Sequence, residues 1–517
     1  MPKISIDIII FIVFLLANLI IGLWVSRHVK TLRDYSIGSK DFSTGTLAAT
    51  IVATWIGGGA MFSALPNIYS TGLWFIIPLL GSSLGLLLTG LVTDRMGEFL
   101  NNLSVAEAMG DLYGKLARII TAFSGILWGI GNLAIQFKVV AKIITLIFGF
   151  EGTEVTIIAA LIIIIYSSFG GIRAVTITDI FEFFAFGIFI PILALVIWNS
   201  IKEPHKALHV LTTNPIFSFK ELIGVNIKSA NFLTLLIYCI TPTMMPAVFQ
   251  RIVMAKDLQQ ARKAYMYAAG ISVLMFLFLI WIAILLLADN PNLAPSNLIN
   301  FIIDNHSYPF LKSLIGVGIV AMAVSTADSH LNASVVLFVN DIIKPLEVFD
   351  KNDKKLMLLT RALAFTLGVF ALLLALSMQD LFAILLLAAN FYMPIVSVPL
   401  LLAIFGFRST KRAVLISMSA GFLTVLLGEL FFSKTGFNTL GIGMVANLFY
   451  LVGSHYLLRD KGGWVGIKEK EPLLAARQKR RESWQHFISN IKNTKIYDYL
   501  QKNLPSYEVI YPLFAVY

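Results

Sequence analysis

The sequence predicts an all-α integral membrane protein with about 13 transmembrane helices. Its 517 residues are 57% hydrophobic and 13% charged, whereas soluble domains contain about 45–50% apolar and about 25% charged residues. The apolar residues are gathered into runs of roughly 20, which is the length that crosses a bilayer as a helix. This composition excludes a soluble enzyme and a disordered scaffold. The single cysteine, Cys239, excludes a disulfide framework and a cysteine-based metal cluster.

The first apolar run, from Ile4 to Val25, is long enough to cross a membrane. It follows no strongly basic segment and precedes no small-residue cleavage site, so it is predicted to be a retained helix and not a signal peptide. Twelve further runs follow it along the chain. The predicted spans after the first are 44–69, 73–92, 119–148, 154–169, 177–200, 229–249, 264–287, 313–340, 356–377, 381–406, 413–433 and 438–457.

Basic residues orient the predicted bundle. An odd number of spans places the termini on opposite sides, and with the N-terminus outside, 31 of the 40 Lys and Arg residues fall on inner segments. The positive-inside rule therefore predicts a multi-pass protein of the cell membrane with a cytoplasmic C-terminus. The transmembrane domain is predicted at 1–458 and a basic cytoplasmic tail at 459–517. The run from Arg477 to Arg481 in this tail indicates a membrane-facing or solvated surface, so no nucleic-acid partner is expected.

The second span contains three consecutive glycines, Gly57, Gly58 and Gly59, near its middle. Each glycine costs up to about 1 kcal/mol in a helix interior. Helix-packing motifs space their glycines four positions apart, so three in a row favour a break in the helix over close packing.

The seventh span contains a second predicted break, where Pro242 and Pro246 remove two backbone donors. Five spans separate the two breaks, so the two halves, at about 44–200 and 229–406, would be inverted in the membrane. Interrupted helices at corresponding positions of inverted halves are typical of a transport site at the membrane midplane.

The ninth span places two adjacent hydroxyl side chains, Ser325 and Thr326, near its middle. Hydroxyls and the free carbonyls of a broken helix are suitable ligands for a small hard cation. The alternative is that both hydroxyls bond back to the preceding helical turn, as is common in membrane helices. The two broken helices favour the cation site.

Four motifs stand in order along the chain: Asp34–Gly38, Gly170–Val175 with the following Thr178 and Asp179, Phe249–Arg251, and the pair Ser325–Thr326. By these motifs the chain resembles the sodium:solute symporter family over roughly residues 1–460. The resemblance implies a leucine-transporter-like (LeuT-like) core of 5+5 inverted repeats, with extra helices at both ends, and alternating access driven by sodium.

The resemblance also implies which residues bind the co-transported sodium ion. The backbone carbonyls of Thr54, Gly57 and Met322 would act together with the hydroxyls of Ser325 and Thr326. In addition, Asp179 matches an inner acidic position that is implicated in sodium exit or in a second ion site. The alternative for Asp179 is a carboxylate that only stabilises a helix N-terminus near the cytoplasmic interface.

Within the family, the stretch from Ala53 to Gly59 is most similar to the choline-transporter branch. A quaternary ammonium has no hydrogen to donate and is held by aromatic faces through cation–π attraction. The predicted function is therefore sodium-coupled uptake of a small organic solute, with choline or a related quaternary amine as the first candidate. Ordinary aromatic packing is the alternative. The expected solute-binding residues are Trp55, Gly58, Trp128 and Met245, although Met245 stands where that branch has a tryptophan.

Other functions fit the sequence less well. A symporter for an amino acid or another carboxylate-bearing solute remains open, but the proline-transporter branch has an acid where this chain has Ile56, and Lys138 is expected to reach the outer interface. A transporter-like sensor would need a signalling domain, and only about 59 residues follow the last span. No enzyme activity is expected, because no paired histidines or catalytic triad are evident at mid-depth. The expected partners are the solute and the lipid bilayer, with no obligate protein partner.

Overall fold

Long apolar helices make up most of the chain in the computed structural model. The structure describes residues 6–468 except 28, 151, 202, 204, 223–226, 243, 306–310, 347–352 and 433–438, and also scattered positions between 474 and 489. Two units are distinguished, Met1–Ile467 and Lys468–Tyr517. Most of the predicted tail lies outside the described residues, including Arg477, Lys479 and Arg480 of its basic run.

The first unit contains twenty described α-helices and one two-stranded sheet. The first half holds α1 (Ile6–Ser26), α2 (Leu32–Ile37), α3 (Thr44–Trp55), α4 (Leu65–Thr71), α5 (Leu73–Thr93), α6 (Val105–Tyr113), α7 (Lys115–Phe148), α8 (Thr153–Phe169), α9 (Ile172–Ser200) and α10 (Lys206–Thr213). The second half holds α11 (Ile227–Ile240), α12 (Pro246–Val253), α13 (Leu258–Asp289), α14 (Leu298–Asn305), α15 (Leu311–Val336), α16 (Asp353–Ser377), α17 (Leu381–Tyr392), α18 (Val398–Phe405), α19 (Lys411–Phe432) and α20 (Leu440–Leu457). The strands are β1 (Phe407–Arg408) and β2 (Gly463–Trp464), and they pair antiparallel.

The described helices account for ten spans by length and hydropathy, or eleven when one bent helix pair is counted as a single span. Two shorter apolar segments, Thr153–Ile165 and Asn231–Ile240, lie where the fifth and seventh spans are predicted. The chain is therefore a multi-pass, all-α membrane protein as predicted, and the count of thirteen spans stays a prediction.

The second span is broken at the predicted glycines. Helix α3 ends at Trp55, and a π-helix, Ala60–Ala64, leads into α4 after a bend of 46°. The seventh span is interrupted between α11 and α12, and Pro246 is the first residue of α12. A proline is tolerated at this position because the N–H of the first helical residue makes no hydrogen bond within the helix.

A third irregular span, which we did not predict from the sequence, is the eleventh. Helix α17 passes through a π-helix, Met393–Ser397, before α18 continues the span. The side chain of Asn447 on α20 donates hydrogen bonds to the carbonyls of Pro394 (2.7 Å) and Ile395 (3.1 Å). Pro394 explains the change of helix type, since it cannot donate to the preceding turn.

Hydrogen bonds attach helix α1 and strand β2, at the two ends of the first unit, to elements that lie between them in the chain. The side chain of Asn18 on α1 donates to the buried Glu182 carboxylate on α9 at 2.5 Å. At the other end, β2 pairs Trp464 with Phe407 and Gly463 with Arg408. The segment that directly follows α20 therefore belongs to the first unit as far as Ile467.

Candidate ion and solute site

The hydroxyls of Ser325 and Thr326 on α15 face the end of α3. The Ser325 hydroxyl donates to the carbonyls of Ala53 (2.9 Å) and Met322 (3.1 Å). The Thr326 hydroxyl lies 3.3 Å from the Ala53 carbonyl and 3.4 Å from that of Thr54. The last carbonyls of a helix have no partner within the helix, so those of Ala53 and Thr54 are open to the two hydroxyls of α15. Two hydroxyls and three carbonyls thus converge in a buried place, and such oxygens are suitable ligands for a small hard cation.

Gly57 lies at the same place. A Cβ atom built on Gly57 would stand 2.9 Å from the Thr326 hydroxyl and 3.1 Å from the Gln136 side-chain nitrogen. The structure therefore places the five residues that we predicted to bind sodium near one another, although the Gly57 carbonyl accepts a backbone hydrogen bond from Ala60 at 2.9 Å, and their role as ligands stays a prediction. It adds the Ala53 carbonyl, which our sequence reasoning missed although Ala53 directly precedes Thr54 in the last turn of α3.

Gln136 on α7 supports the broken backbone of the second span. Its side-chain oxygen accepts a hydrogen bond from the backbone N–H of Gly58 at 3.1 Å. An unpaired backbone group in the membrane interior costs several kcal/mol, so a buried amide side chain here stabilises the break. The sequence contained a signal for this contact, since Gln136 is one of two amide side chains, with Asn132, in a long apolar helix.

Gly58 itself lies in close contact with two helices. A Cβ atom built on it would stand 2.6 Å from a Val139 methyl group on α7 and 2.9 Å from the Ala323 Cβ on α15. The backbone of the break therefore approaches both helices at a distance that only glycine permits. The expected contact between Gly58 and a solute stays a prediction.

A buried ion pair, Arg251 with Asp179, lies next to this group of oxygens. Arg251 on α12 is 1% exposed and Asp179 on α9 is fully buried, and the guanidinium Nη2 lies 3.3 Å from the carboxylate. The same Nη2 donates to the hydroxyls of Thr54 (3.1 Å) and Ser329 (2.5 Å), and the Thr50 hydroxyl donates to Asp179. Our reasoning placed Arg251 in a family motif but assigned it no role.

Three aromatic side chains meet beside the break in the seventh span. The Trp128 ring lies 6.2 Å from the His330 ring and 6.4 Å from the Tyr392 ring, centroid to centroid. The Tyr392 hydroxyl donates to the Met244 carbonyl at 2.6 Å. Trp128 is 3% exposed, and its indole N–H has no hydrogen-bond partner among the described residues. Our reasoning missed Tyr392, although an aromatic residue two positions before Pro394 could have suggested it.

The four residues that we expected to bind the solute do not form one cluster among the described residues. Trp128 lies near the break that contains the buried Met245, and its ring contacts are with His330 and Tyr392, not with the half-buried Trp55. Gly58 packs on Val139, which is eleven positions after Trp128 on α7, or about 16 Å along the helix. The solute-binding role of these residues stays a prediction.

Lys138 is bonded to a neighbouring helix. Its ammonium group donates to the carbonyl of Ala375 (2.8 Å) and to the side chain of Gln379 (3.2 Å), at the end of α16. A lysine at a helix C-terminus is favoured by the negative end of the helix dipole. The charge of Lys138 therefore has a structural partner.

Comparison with known proteins gives a consistent result. A model of the sodium:solute symporter family matches residues 35–421. The human high affinity choline transporter 1 is 24% identical over 449 residues, which cover 82% of this chain and 77% of the relative. The sodium/glucose cotransporter of Vibrio parahaemolyticus is 23% identical and covers 72% of this chain and 74% of the relative.

Two solved structures share the fold. The substrate-bound outward-open state of a sodium-coupled sialic acid symporter matches with a TM-score of 0.77 and 20% identity, over 88% of this chain and 98% of that one. A nucleobase-cation-symport-1 family transporter in a closed conformation matches with a TM-score of 0.53 and 14% identity, over 82% of this chain and 94% of that one. These likenesses confirm the predicted LeuT-like fold.

Proposed function

Because this chain belongs to the sodium:solute symporter family, we propose that the solute it takes up with sodium is choline or a closely related quaternary amine. Family membership makes sodium the co-transported ion and a small organic molecule the solute. The single observation that best supports the sodium site is the convergence of the Ser325 and Thr326 hydroxyls on the free carbonyls at the end of α3.

The choice of an amine rests on the aromatic residues near the two breaks. Trp128 and Tyr392 lie beside the second break, and Trp55 is the last residue of α3 at the first break. An aromatic face attracts a quaternary ammonium by about 2 kcal/mol or more when water is excluded. The human relative at 24% identity is named a choline transporter, which supports the same class of solute.

A carboxylate-bearing solute is supported less well. Such a solute would need a cation or free backbone donors at its site. Lys138 already donates to Ala375 and Gln379, and Arg251 already pairs with Asp179. Neither charge is therefore available to a solute in the described arrangement.

We further propose that the protein lies in the cell membrane with its N-terminus outside and its C-terminus in the cytoplasm. The distribution of Lys and Arg supports this orientation. Arg95, Arg408 and Arg262 lie at one end of the bundle, where Arg408 pairs with Glu98 and Arg262 pairs with Asp94. Labelling of single introduced cysteines from each side of intact cells, in a Cys239→Ser background, would test the orientation.

The proposal is tested by uptake into proteoliposomes that contain the purified protein. We expect an inward sodium gradient to drive accumulation of radiolabelled choline above its equilibrium level, and a potassium gradient not to do so. Betaine, proline and glucose would be measured in parallel. Sodium-driven uptake of proline or glucose without uptake of choline would contradict the amine proposal, and loss of the sodium requirement would contradict the assignment of the ion site.

Replacement of Trp55 tests whether an aromatic face holds the solute. We expect Trp55→Leu to weaken choline binding by about 2 kcal/mol, or roughly thirtyfold, because it removes the ring quadrupole. Trp55→Phe keeps a weaker aromatic face and should weaken binding less. We expect the same order for Trp128→Phe and Trp128→Leu. The measurement is equilibrium binding of choline at saturating sodium.

The matched control is Trp198→Leu. Trp198 stacks on Trp281 at a centroid distance of 5.5 Å, and both residues lie on helices without a break at these positions. We expect this control to leave choline affinity unchanged. Equal losses for the Phe and Leu replacements at Trp55 and at Trp128 would show that the rings act by shape alone.

A further inference from the structure

Glu182 is a fully buried carboxyl group on α9 that takes no part in the proposed sodium site. The side-chain Nδ2 of Asn18 on α1 donates to its Oε1 at 2.5 Å. Asn18 is itself only 3% exposed, so both partners of this contact lie away from water. An ionisable side chain inside a membrane span is costly and commonly has a function, so the charge of Glu182 requires an explanation.

No cation offsets a negative charge on Glu182. Within the described part of the chain, Glu182 belongs to no ion pair, and Arg251 is paired with Asp179. The neighbouring charges that act most strongly on Glu182 are both negative, those of Asp328 on α15 and of Asp179. A buried carboxylate without a cation is unfavourable, and nearby like charges add to the cost. These surroundings therefore favour a neutral carboxylic acid.

The other helices packed against α9 do not supply the missing charge. Helix α3 and the described side chains of α1 contain no titratable group. The titratable side chains on the remaining neighbours have contacts elsewhere. They are Arg251 on α12, Tyr265 on α13, His330 on α15 and Tyr35 on α2.

The pair formed by Glu182 and Asn18 lacks one hydrogen. The Oε2 of Glu182 and the Oδ1 of Asn18 are both buried acceptors without a hydrogen-bond partner among the described residues. A carboxylic acid and a carboxamide can bond to each other twice, through the amide N–H and through the carboxyl O–H. One proton on Oε2 would supply the second bond and remove the charge. A sodium ion would need several oxygen ligands, whereas a proton needs only these two.

We propose that Glu182 is a proton-binding site, at which one exchangeable proton joins the carboxyl group to the Asn18 amide and holds α1 against α9. The protonated pair makes two hydrogen bonds between these helices, and the ionised pair makes one and leaves a buried charge. Neither sodium nor the solute takes part, so this inference does not depend on the proposed function.

Infrared spectroscopy of the full-length protein in lipid vesicles detects the proton directly, because a carboxylic acid and a carboxylate have separate stretching bands. At neutral pH we expect Glu182→Gln to lose one carboxyl group's share of the wild-type acid band. Asn18→Leu should keep this share but shift it to higher wavenumber, because the acid loses its hydrogen-bond partner. Transfer of the wild type to D₂O should shift it to lower wavenumber, because the proton exchanges.

The matched control is Glu429→Gln. Glu429 also accepts from an asparagine Nδ2, that of Asn390 at 3.2 Å, but it is exposed, so this variant should keep the wild-type acid band. Loss of carboxylate absorption in Glu182→Gln, with the acid band intact, would overturn the proposal. If Glu182→Gln fails to insert, Asn18→Leu decides, and an acid band identical to that of the wild type would overturn it.

Discussion

Replacing Ser325 and Thr326 together by alanine is expected to raise the sodium concentration for half-maximal uptake about a hundredfold. The Ser325 hydroxyl contacts the carbonyls of Ala53 and Met322, and the Thr326 hydroxyl contacts those of Ala53 and Thr54. Loss of one hydroxyl ligand should cost on the order of 1–3 kcal/mol, which corresponds to roughly tenfold or more for each single replacement. Uptake at a fixed low solute concentration, measured over a range of sodium concentrations, gives the value directly.

A matched control separates the loss of an ion ligand from the loss of any buried hydroxyl. Ser417 on α19 is buried and bonds back to the Val414 carbonyl of its own helix, so Ser417→Ala should leave the sodium dependence unchanged. The assignment of the site would be wrong if Ser325→Ala and Thr326→Ala both kept the wild-type sodium dependence at normal expression in the membrane.

Replacing Gly58 by leucine is expected to abolish solute binding while the chain still inserts into the membrane. A single Cβ atom at this position would already stand 2.6 Å from Val139 and 2.9 Å from Ala323. A branched side chain would push the break away from α7 and α15, and would separate Gly58 from Gln136. Loss of more than a hundredfold in affinity is expected, because displacement by about 1 Å already disturbs a preorganised site.

Gly270→Leu serves as the control for Gly58→Leu. Gly270 lies within α13, and a Cβ atom there would meet no other atom within 4 Å. Both variants would be compared for surface expression, for elution as a single species in detergent and for equilibrium binding. Normal transport by Gly58→Leu would mean that the break does not have to stay in contact with α7 and α15 during the transport cycle.

The irregular helices could be predicted from the sequence where local chemistry alone disrupts a helix. Three consecutive glycines and two closely spaced prolines disfavour a regular helix whatever surrounds them, and the structure has breaks at both places. Pro394 was a comparable signal in the eleventh span, but a single proline in a membrane helix also fits a simple kink. The structure shows a π-helix there, and the side chain of Asn447 donates a hydrogen bond to the Pro394 carbonyl within it.

The candidate site could be predicted only as far as its residues are close in sequence or match a family motif. Ser325 and Thr326 are adjacent, and their chemistry suggested a cation site. The pairing of Arg251 with Asp179 joins residues 72 positions apart, and the contact between Tyr392 and Met244 spans 148 positions. Such contacts depend on which helix faces pack together. Hydrophobic periodicity does not reveal those faces when the helices are apolar on most sides.

The contact of Asn447 with the eleventh span has a consequence for biogenesis. Helix α20 emerges from the ribosome after the eleventh span, and the Asn447 amide donates to two carbonyls in the irregular segment of that span, about fifty residues earlier in the chain. Until α20 inserts, those carbonyls lack this partner inside the bilayer, where each unmade backbone bond costs several kcal/mol. The eleventh span can therefore reach its final shape only after α20 has inserted, and we expect a chain truncated before Leu440 to leave both carbonyls without this partner.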